Sequence, residues 1–387
     1  MPAQATTFTA QFPPWIAFGR GSAAGIGQEL GNEGLKKPLV VTDEGLIRAG
    51  ITPKVLSSLA ESGIEAEVFS DVVPDPNTQT VDMGVKRFLA GPCDSLVAVG
   101  GGSSIDAAKG IGILAANGGK IMDYEGVGKV AKPIAFLAAV PTTYGSGSEV
   151  TAFAVITDEK RKFKAAIGSG HIAPRRAFVD PELMVALPRD IAAASGVDAL
   201  CHAVESYASR YAQPFSQAMA FGAIRLIFQN IAAAVNSDDD LDATGQMALA
   251  STMAGIAFSQ SRLGNAHAMG HPLGGYYHVA HGQACALLLP HVMAFNAVAA
   301  PQKYKEIAEA AGLADRADDP AEAAERAVNA VKELMESLGV PARMSHFGVT
   351  EDSITAMAED AMRSGNVKSN PRKSTRRDIA DIYRGAL

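Results

Sequence analysis

A parallel β-sheet covered by helices, followed by an all-helical region, is the fold class this sequence predicts. Three observations carry it. Short apolar strand-like runs alternate with helical stretches through the first half, the texture changes at Leu187-Pro188, and long Ala-rich helical stretches with few strand signals fill the rest. The expected units are 1–187 and 188–387. A length of 387 residues suits about two domains, each large enough for its own core.

Along the first unit, 38–42 (PLVVT) reads as a strand, Asp43-Glu44-Gly45 as a turn and 55–62 as a helix. A strand at 66–69, a helix at 81–90, a strand at 95–99 (SLVAV) and another at 134–140 follow. The strands are apolar throughout rather than alternating, as in parallel sheets buried on both faces. In the second unit helices are expected over 191–210, 216–236, 241–260, 321–337 and 351–362. No repeat or low-complexity linker separates the units, so they should pack closely and leave a cleft between them.

Bulk properties exclude several classes. The net charge of −7 and the lack of a long basic run argue against nucleic acid, which needs clustered Lys and Arg. Cys93, Cys201 and Cys285 lie far apart, giving no disulfide framework and no Cys-x-x-Cys pair, and a reducing compartment fits. The opening MPAQATTFTAQFPPW lacks a basic start followed by an apolar core. The apolar run 284–295 is too short to cross a bilayer and contains Pro290 and His291. The expectation is a cytoplasmic protein with no membrane or nucleic-acid partner.

Strand 95–99 runs into Gly100-Gly101-Gly102-Ser103-Ser104 and then a helical pattern. Successive glycines let backbone N–H groups approach an anion, and a helix N-terminus adds a favourable dipole. The segment lacks the G-x-G-x-x-G spacing and the acidic residue about 20 positions later. Its competing reading is a Gly-rich turn capped by Ser103 or Ser104. Asp43 follows an earlier strand, where a carboxylate could bond an adenosine ribose and repel a 2′-phosphate, favouring NAD over NADP. Otherwise it is a turn residue. A second small-residue segment, 141–149 (PTTYGSGSE), also follows a strand and could face the same ligand or simply cap the next element.

Six of the eight histidines fall between His202 and His291. Asp198 and His202 are spaced i, i+4 on a helical stretch, and His267 and His271 repeat that spacing. His281 follows the Pro272-Leu273-Gly274-Gly275 segment, which should end or kink its helix. An Asp with several imidazoles suits Fe²⁺ or Zn²⁺. The alternative for any single histidine is a hydrogen-bonded core or surface ring.

Together these segments resemble the iron-containing (group III) alcohol dehydrogenases: 40–46 (VVTDEGL), 100–110 (GGGSSIDAAKG), 141–151 (PTTYGSGSEVT), 180–188 (DPELMVALP), 196–207 (GVDALCHAVESY), 267–282 (HAMGHPLGGYYHVAHG) and 370–375 (NPRKST). The resemblance implies a Rossmann-like dinucleotide domain, an all-α metal domain in a dehydroquinate synthase-like architecture, and metal in the cleft. It assigns Asp198, His202, His267 and His281 as ligands of one divalent ion, Fe²⁺ first and Zn²⁺ as the alternative. His271 matches the family's pocket histidine. Asp43, Gly101, Gly102, Ser103, Thr142, Thr143, Thr151, Lys164 and Leu183 match positions that hold NAD. Lys164 would otherwise read as a solvated lysine. Phe153, where many members have a polar or small residue, alters the expected pocket, which Phe258 and Asn366 should also face. His278 matches no family ligand.

The activity implied is hydride transfer between NAD and a small primary alcohol, diol or aldehyde, in a homodimer or larger homo-oligomer. A glycerol dehydrogenase-like polyol oxidoreductase and a dehydroquinate synthase-like lyase share the two-unit plan. The lyase would need several basic residues for an anionic substrate, where the metal segments here carry small, apolar and aromatic ones. A non-catalytic NAD or metal sensor is the rival from another class, and retention of all the ligand-type residues argues against it.

Overall fold

The structure, a computed structural model, describes residues 7–10, 14–161 and 163–387. Residues 1–6 and 11–13 of the opening segment lie outside the described residues. Among the rest the strands are β1 (Trp15–Phe18), β2 (Pro38–Val41), β3 (Glu67–Phe69), β4 (Ser95–Gly100), β5 (Gly126–Val127), β6 (Phe136–Pro141), β7 (Phe153–Asp158), β8 (Phe163–Gly168) and β9 (Arg176–Val179). Six of them form one sheet in the order β1-β9-β6-β4-β2-β3, with every pairing parallel.

Helices before β6 are α1 (Ile26–Asn32), α2 (Glu44–Arg48), α3 (Ile51–Glu61), α4 (Thr78–Ala90) and α5 (Gly102–Asn117). They cover the sheet on two sides. Val40, Val97, Val99 and Val140 pack with Ile26, Leu30 and Leu59, while Leu39, Val41, Leu96 and Leu137 pack with Phe88, Ile105 and Ile111. Successive side chains of a strand point to opposite faces, so these apolar runs feed two cores at once. The strand expected at 134–140 runs over Phe136–Pro141, and Asp43 caps α2 rather than sitting in an isolated turn.

One feature the sequence reading lacked is a second, three-stranded sheet ordered β5-β8-β7, in which β7 and β8 form an antiparallel hairpin. It carries Phe153 and Lys164 to the cleft.

Past β9 the described elements are helical: α6 (Arg189–Ala208), α7 (Pro214–Asn236), α8 (Leu241–Ser261), α9 (Asn265–Tyr277), α10 (His281–Ala297), α11 (Pro301–Ala310), α12 (Pro320–Ser337), α13 (Glu351–Arg363) and α14 (Arg376–Gly385), with short 3₁₀ turns between some of them. Ala-rich faces let α6, α7 and α8 pack closely around Leu200, Val204, Ile224, Ile227, Ile231 and Met247. Helix α7 is long and apolar enough to cross a membrane by length and composition alone, a test that a bundle helix packed like this one also meets.

Of the two expected outcomes at Pro272, an end of the helix is corrected. Helix α9 continues through Pro272 and ends at Tyr277, with His278 as its left-handed cap at φ 56°. Proline removes one N–H from the ladder, and here the remaining bonds and the buried face of Ala266, Met269, Leu273 and their neighbours hold the helix. His281 then opens α10.

Candidate active site

Strand order reverses between β2 and β4: β3 adds outside β2, then β4 returns to its other side. In open parallel sheets a ligand crevice forms at the carboxyl ends of strands flanking such a point. Asp43 follows β2, and Gly101 and Gly102 follow β4 into α5. Gly101 packs on Thr143, and a Cβ at Gly102 would lie 2.9 Å from Cβ of Ser146. The two small-residue segments therefore face each other so closely that a side chain at Gly102 would not fit. Thr142 is buried and its N–H donates to Gly100 O at 3.1 Å, tying the second segment to the first.

Behind this cradle lies a fully buried lysine that the sequence reading did not single out. Lys109 Nζ donates to Ser148 O (2.8 Å), Ser148 Oγ (2.7 Å), Phe153 O (2.6 Å) and Thr151 Oγ1 (3.4 Å). Asp106 accepts from Ser148 Oγ and from Val155 N. Burial lowers the Lys109 pKa to about 8 against the opposing carboxylates of Asp106 and Glu149. This network fastens α5 to the 148–155 segment, so Thr151 serves inside it.

A cleft of about 430 Å³ separates this scaffold from α6, α9 and α10. Gly102, Ser103, Thr143, Thr151 and Lys164 line its sheet side, and Phe153, Phe258 and Asn366 also line it. Lys164 is buried and pairs with Asp75 at 2.7 Å, so it is not a solvated lysine. Asp43, Gly101, Thr142 and Leu183 are not among the lining residues. Asp43 Oδ1 accepts from Leu46 N at 3.0 Å, and Leu183 packs in the core with Phe178.

On the helical side four predicted residues converge. Asp198 Oδ1 lies 3.7 Å from His267 Nε2 and 3.8 Å from His281 Nε2, and Asp198 Oδ2 lies 3.9 Å from His202 Nδ1. Each separation exceeds hydrogen-bond reach. The first two approach the edge of about 3.4 Å between donors that share an ion at about 2.1 Å in a tetrahedron, whereas His202 Nδ1 is taken by Gly145 O, which leaves Nε2 as that ring's free nitrogen. His267 stacks on His202, with centroids 4.6 Å apart, and His202 stacks on Phe258 at 4.5 Å. His202 Nδ1 donates to Gly145 O at 3.2 Å. His271 stands beside His281, with centroids 5.4 Å apart.

Glu205 completes the arrangement and was also not singled out, although it follows Asp198 and His202 at i+7 and i+3 on the same helix face. It is buried, and it accepts from His267 Nδ1 at 2.7 Å, Ala266 N at 2.6 Å and Gly264 N at 3.0 Å. A Cβ at Gly264 would come within 2.9 Å of Glu205 Oε1. Asn370, from the NPRKST tail, accepts from the next N–H, that of Asn265, at 3.2 Å. The start of α9 is thus capped from distant parts of the chain, which fixes His267 with Nε2 toward Asp198.

Charge follows from these contacts. Burial would raise the Asp198 pKa, but the imidazoles of His202, His281 and His267 outweigh it and hold the carboxyl well below its usual range. Burial works against charge on His267 too, yet Cys285, Asp198 and Glu205 keep its proton well above the ordinary imidazole value. Burial lowers His202 to about 4 and His271 to about 3. Asp198 Oδ1 and His267 Nε2 are buried without a hydrogen-bond partner. Orphaned polar atoms are costly, and a divalent cation that displaces the His267 proton would give both of them a partner. The donor set fits a divalent metal.

Residues 13–181 match the family model for iron-containing alcohol dehydrogenase, and 192–387 match that for the C-terminal part of the Fe-containing alcohol dehydrogenase family. The chain belongs to the iron-containing alcohol dehydrogenase family. It is 41% identical over 375 residues to the NAD-dependent methanol dehydrogenase of Bacillus methanolicus, covering 97% of this chain and 98% of that one. Identity to the 1,3-propanediol dehydrogenase of Citrobacter freundii is 42% over 372 residues, covering 96% of each. A crystal structure of 1,3-propanediol oxidoreductase superposes with a TM-score of 0.96 at 41% identity, covering 99% of this chain and all of that one. The expected family, fold class and oxidoreductase class therefore stand, as do NAD and a divalent metal as the family's cofactors.

Proposed function

We propose that this chain interconverts small primary alcohols or diols with their aldehydes, using NAD held by 1–187 and one divalent ion held by 188–387. The observation that carries it is the pair of orphaned atoms, Asp198 Oδ1 and His267 Nε2, in a cleft whose opposite wall is the glycine cradle. Asp198, His202, His267 and His281 hold the ion, Fe²⁺ first and Zn²⁺ second. Gly101, Gly102, Ser103, Thr142, Thr143, Thr151 and Lys164 hold or support the nucleotide. Asp43 reads its ribose, and Leu183 backs the sheet beneath.

A bound ion supplies Lewis acidity toward the substrate oxygen, and NAD supplies the hydride acceptor. The chain's task is placement. Phe153 and Phe258 make the cleft apolar and exclude water. His271, half-buried and held neutral, stands ready to pass the alcohol's proton toward the open side. A cleft of about 430 Å³ suits a short alcohol beside the nicotinamide end.

The matching relatives' names, methanol and 1,3-propanediol dehydrogenase, support this substrate range. We propose further that the protein is cytoplasmic and forms a homodimer or larger homo-oligomer. Exposed Trp15 and Phe18 on the edge strand β1 support self-association.

The test strips metal with chelator, reloads Fe²⁺ or Zn²⁺ separately, and follows NADH absorbance against alcohols and aldehydes. The expected outcome is metal-dependent turnover of short primary alcohols. Equal rates in stripped and reloaded protein would sink the reading.

A further inference from the structure

Asp198, His267 and His281 share their polar opening with a donor to which no role has yet been given. Cys285 lies one turn beyond His281 on α10, hence on the same helix face. Its Sγ is 3.9 Å from His281 Nε2 and 4.0 Å from Nδ1. Donor atoms of Asp198, His267, His281 and Cys285 all lie within 4.8 Å of one another. The side chain is fully buried.

Helix α9 makes room for it. Gly270 lies three residues beyond His267, and a Cβ there would come within 2.9 Å of the sulfur. Any larger residue would push the thiol out of its place beside the imidazoles. The same opening holds the two buried atoms without partners, Asp198 Oδ1 and His267 Nε2.

We propose that Cys285 ligates, through its sulfur, the ion that Asp198, His267 and His281 hold. This inference rests on the metal centre read above and adds a soft donor to it. On ligation the S–H bond gives up its proton to solvent as the sulfur–metal bond forms, with no change of oxidation state. A thiolate added to three imidazoles and a carboxylate favours Zn²⁺ and Co²⁺ over ions such as Mn²⁺ that prefer oxygen.

The test loads chelator-stripped, full-length protein with Co²⁺, whose bonds to thiolate absorb in the near-ultraviolet. Wild type should take up one Co²⁺ per chain and show that band. Cys285→Ser and Cys285→Ala should bind Co²⁺ through the remaining donors yet lose the band, and Cys201→Ser should keep it. Zn²⁺ affinity should fall more than Mn²⁺ affinity in both Cys285 variants. Stoichiometric Co²⁺ without the band in wild type, or a band that survives Cys285→Ser, overturns the proposal while sparing the metal centre. Failure of wild type to bind Co²⁺, or uptake unaffected by His267→Ala, sinks the metal centre and this proposal together.

Discussion

Two buried charged clusters flank the cleft, and they differ in one respect. Around Lys109 the cation belongs to the chain, and its ammonium reaches four acceptors. Around Asp198 the acceptors are in place but two buried atoms have no partner. Burying polar groups is tolerable only where each finds a partner. The first cluster therefore acts as scaffold, and the second has the unpartnered donor atoms that the proposed metal centre requires.

The sharpest break is His267→Ala. It should remove bound metal and lower kcat/KM by several kcal/mol, at least about a thousandfold, as metal content and NADH formation would show. Added Zn²⁺ at about 100 times its Kd should stabilise wild type by about 2.7 kcal/mol, and the variant by nothing measurable.

Next comes Lys109→Met, which leaves Glu149 buried and Asp106 half-buried without their cation. A loss of about 3–5 kcal/mol is expected from the denaturant midpoint, with metal binding retained in the folded fraction. A variant as stable as wild type would show that the first cluster is not a scaffold.

Glu205→Gln probes the connection between charge and placement. An amide NH₂ facing His267 Nδ1 would favour the tautomer protonated at Nε2, toward the ion. Zn²⁺ affinity should fall about 10–100-fold by competition titration. Unchanged affinity would assign Glu205 to capping α9 alone.

A smaller effect is expected at Asp43, which already caps α2. Asp43→Gly should raise the NADP-to-NAD ratio of kcat/KM and cost the cap no more than about 1 kcal/mol. An unchanged ratio leaves Asp43 a cap only. The pH effect of His271 bears on stability rather than on cofactor choice. Its imidazole takes up a proton near 6.5 when unfolded but only near 3 when folded. Acid thus favours the unfolded chain, and stability should decline as pH falls below about 6.5. His271→Asn should flatten that decline in urea melts of metal-free protein.

Much of this was legible in the sequence because its signals are local. Apolar runs of four to six residues gave the parallel strands, and the glycine run after SLVAV marked the cradle. Helical spacing put Asp198 with His202 and His267 with His271 before any coordinates, and the same spacing could have added Glu205 and Cys285. The tertiary structure decided what depends on distant partners. Glu205 meets His267 across 62 positions, and Lys109 meets Phe153 across 44. Asp75 keeps Lys164 from being a surface lysine, and packing keeps α9 helical through Pro272. The physical reason is that periodicity fixes which face of an element a side chain occupies, whereas its partner is chosen only when two faces pack and each buried polar atom must be satisfied.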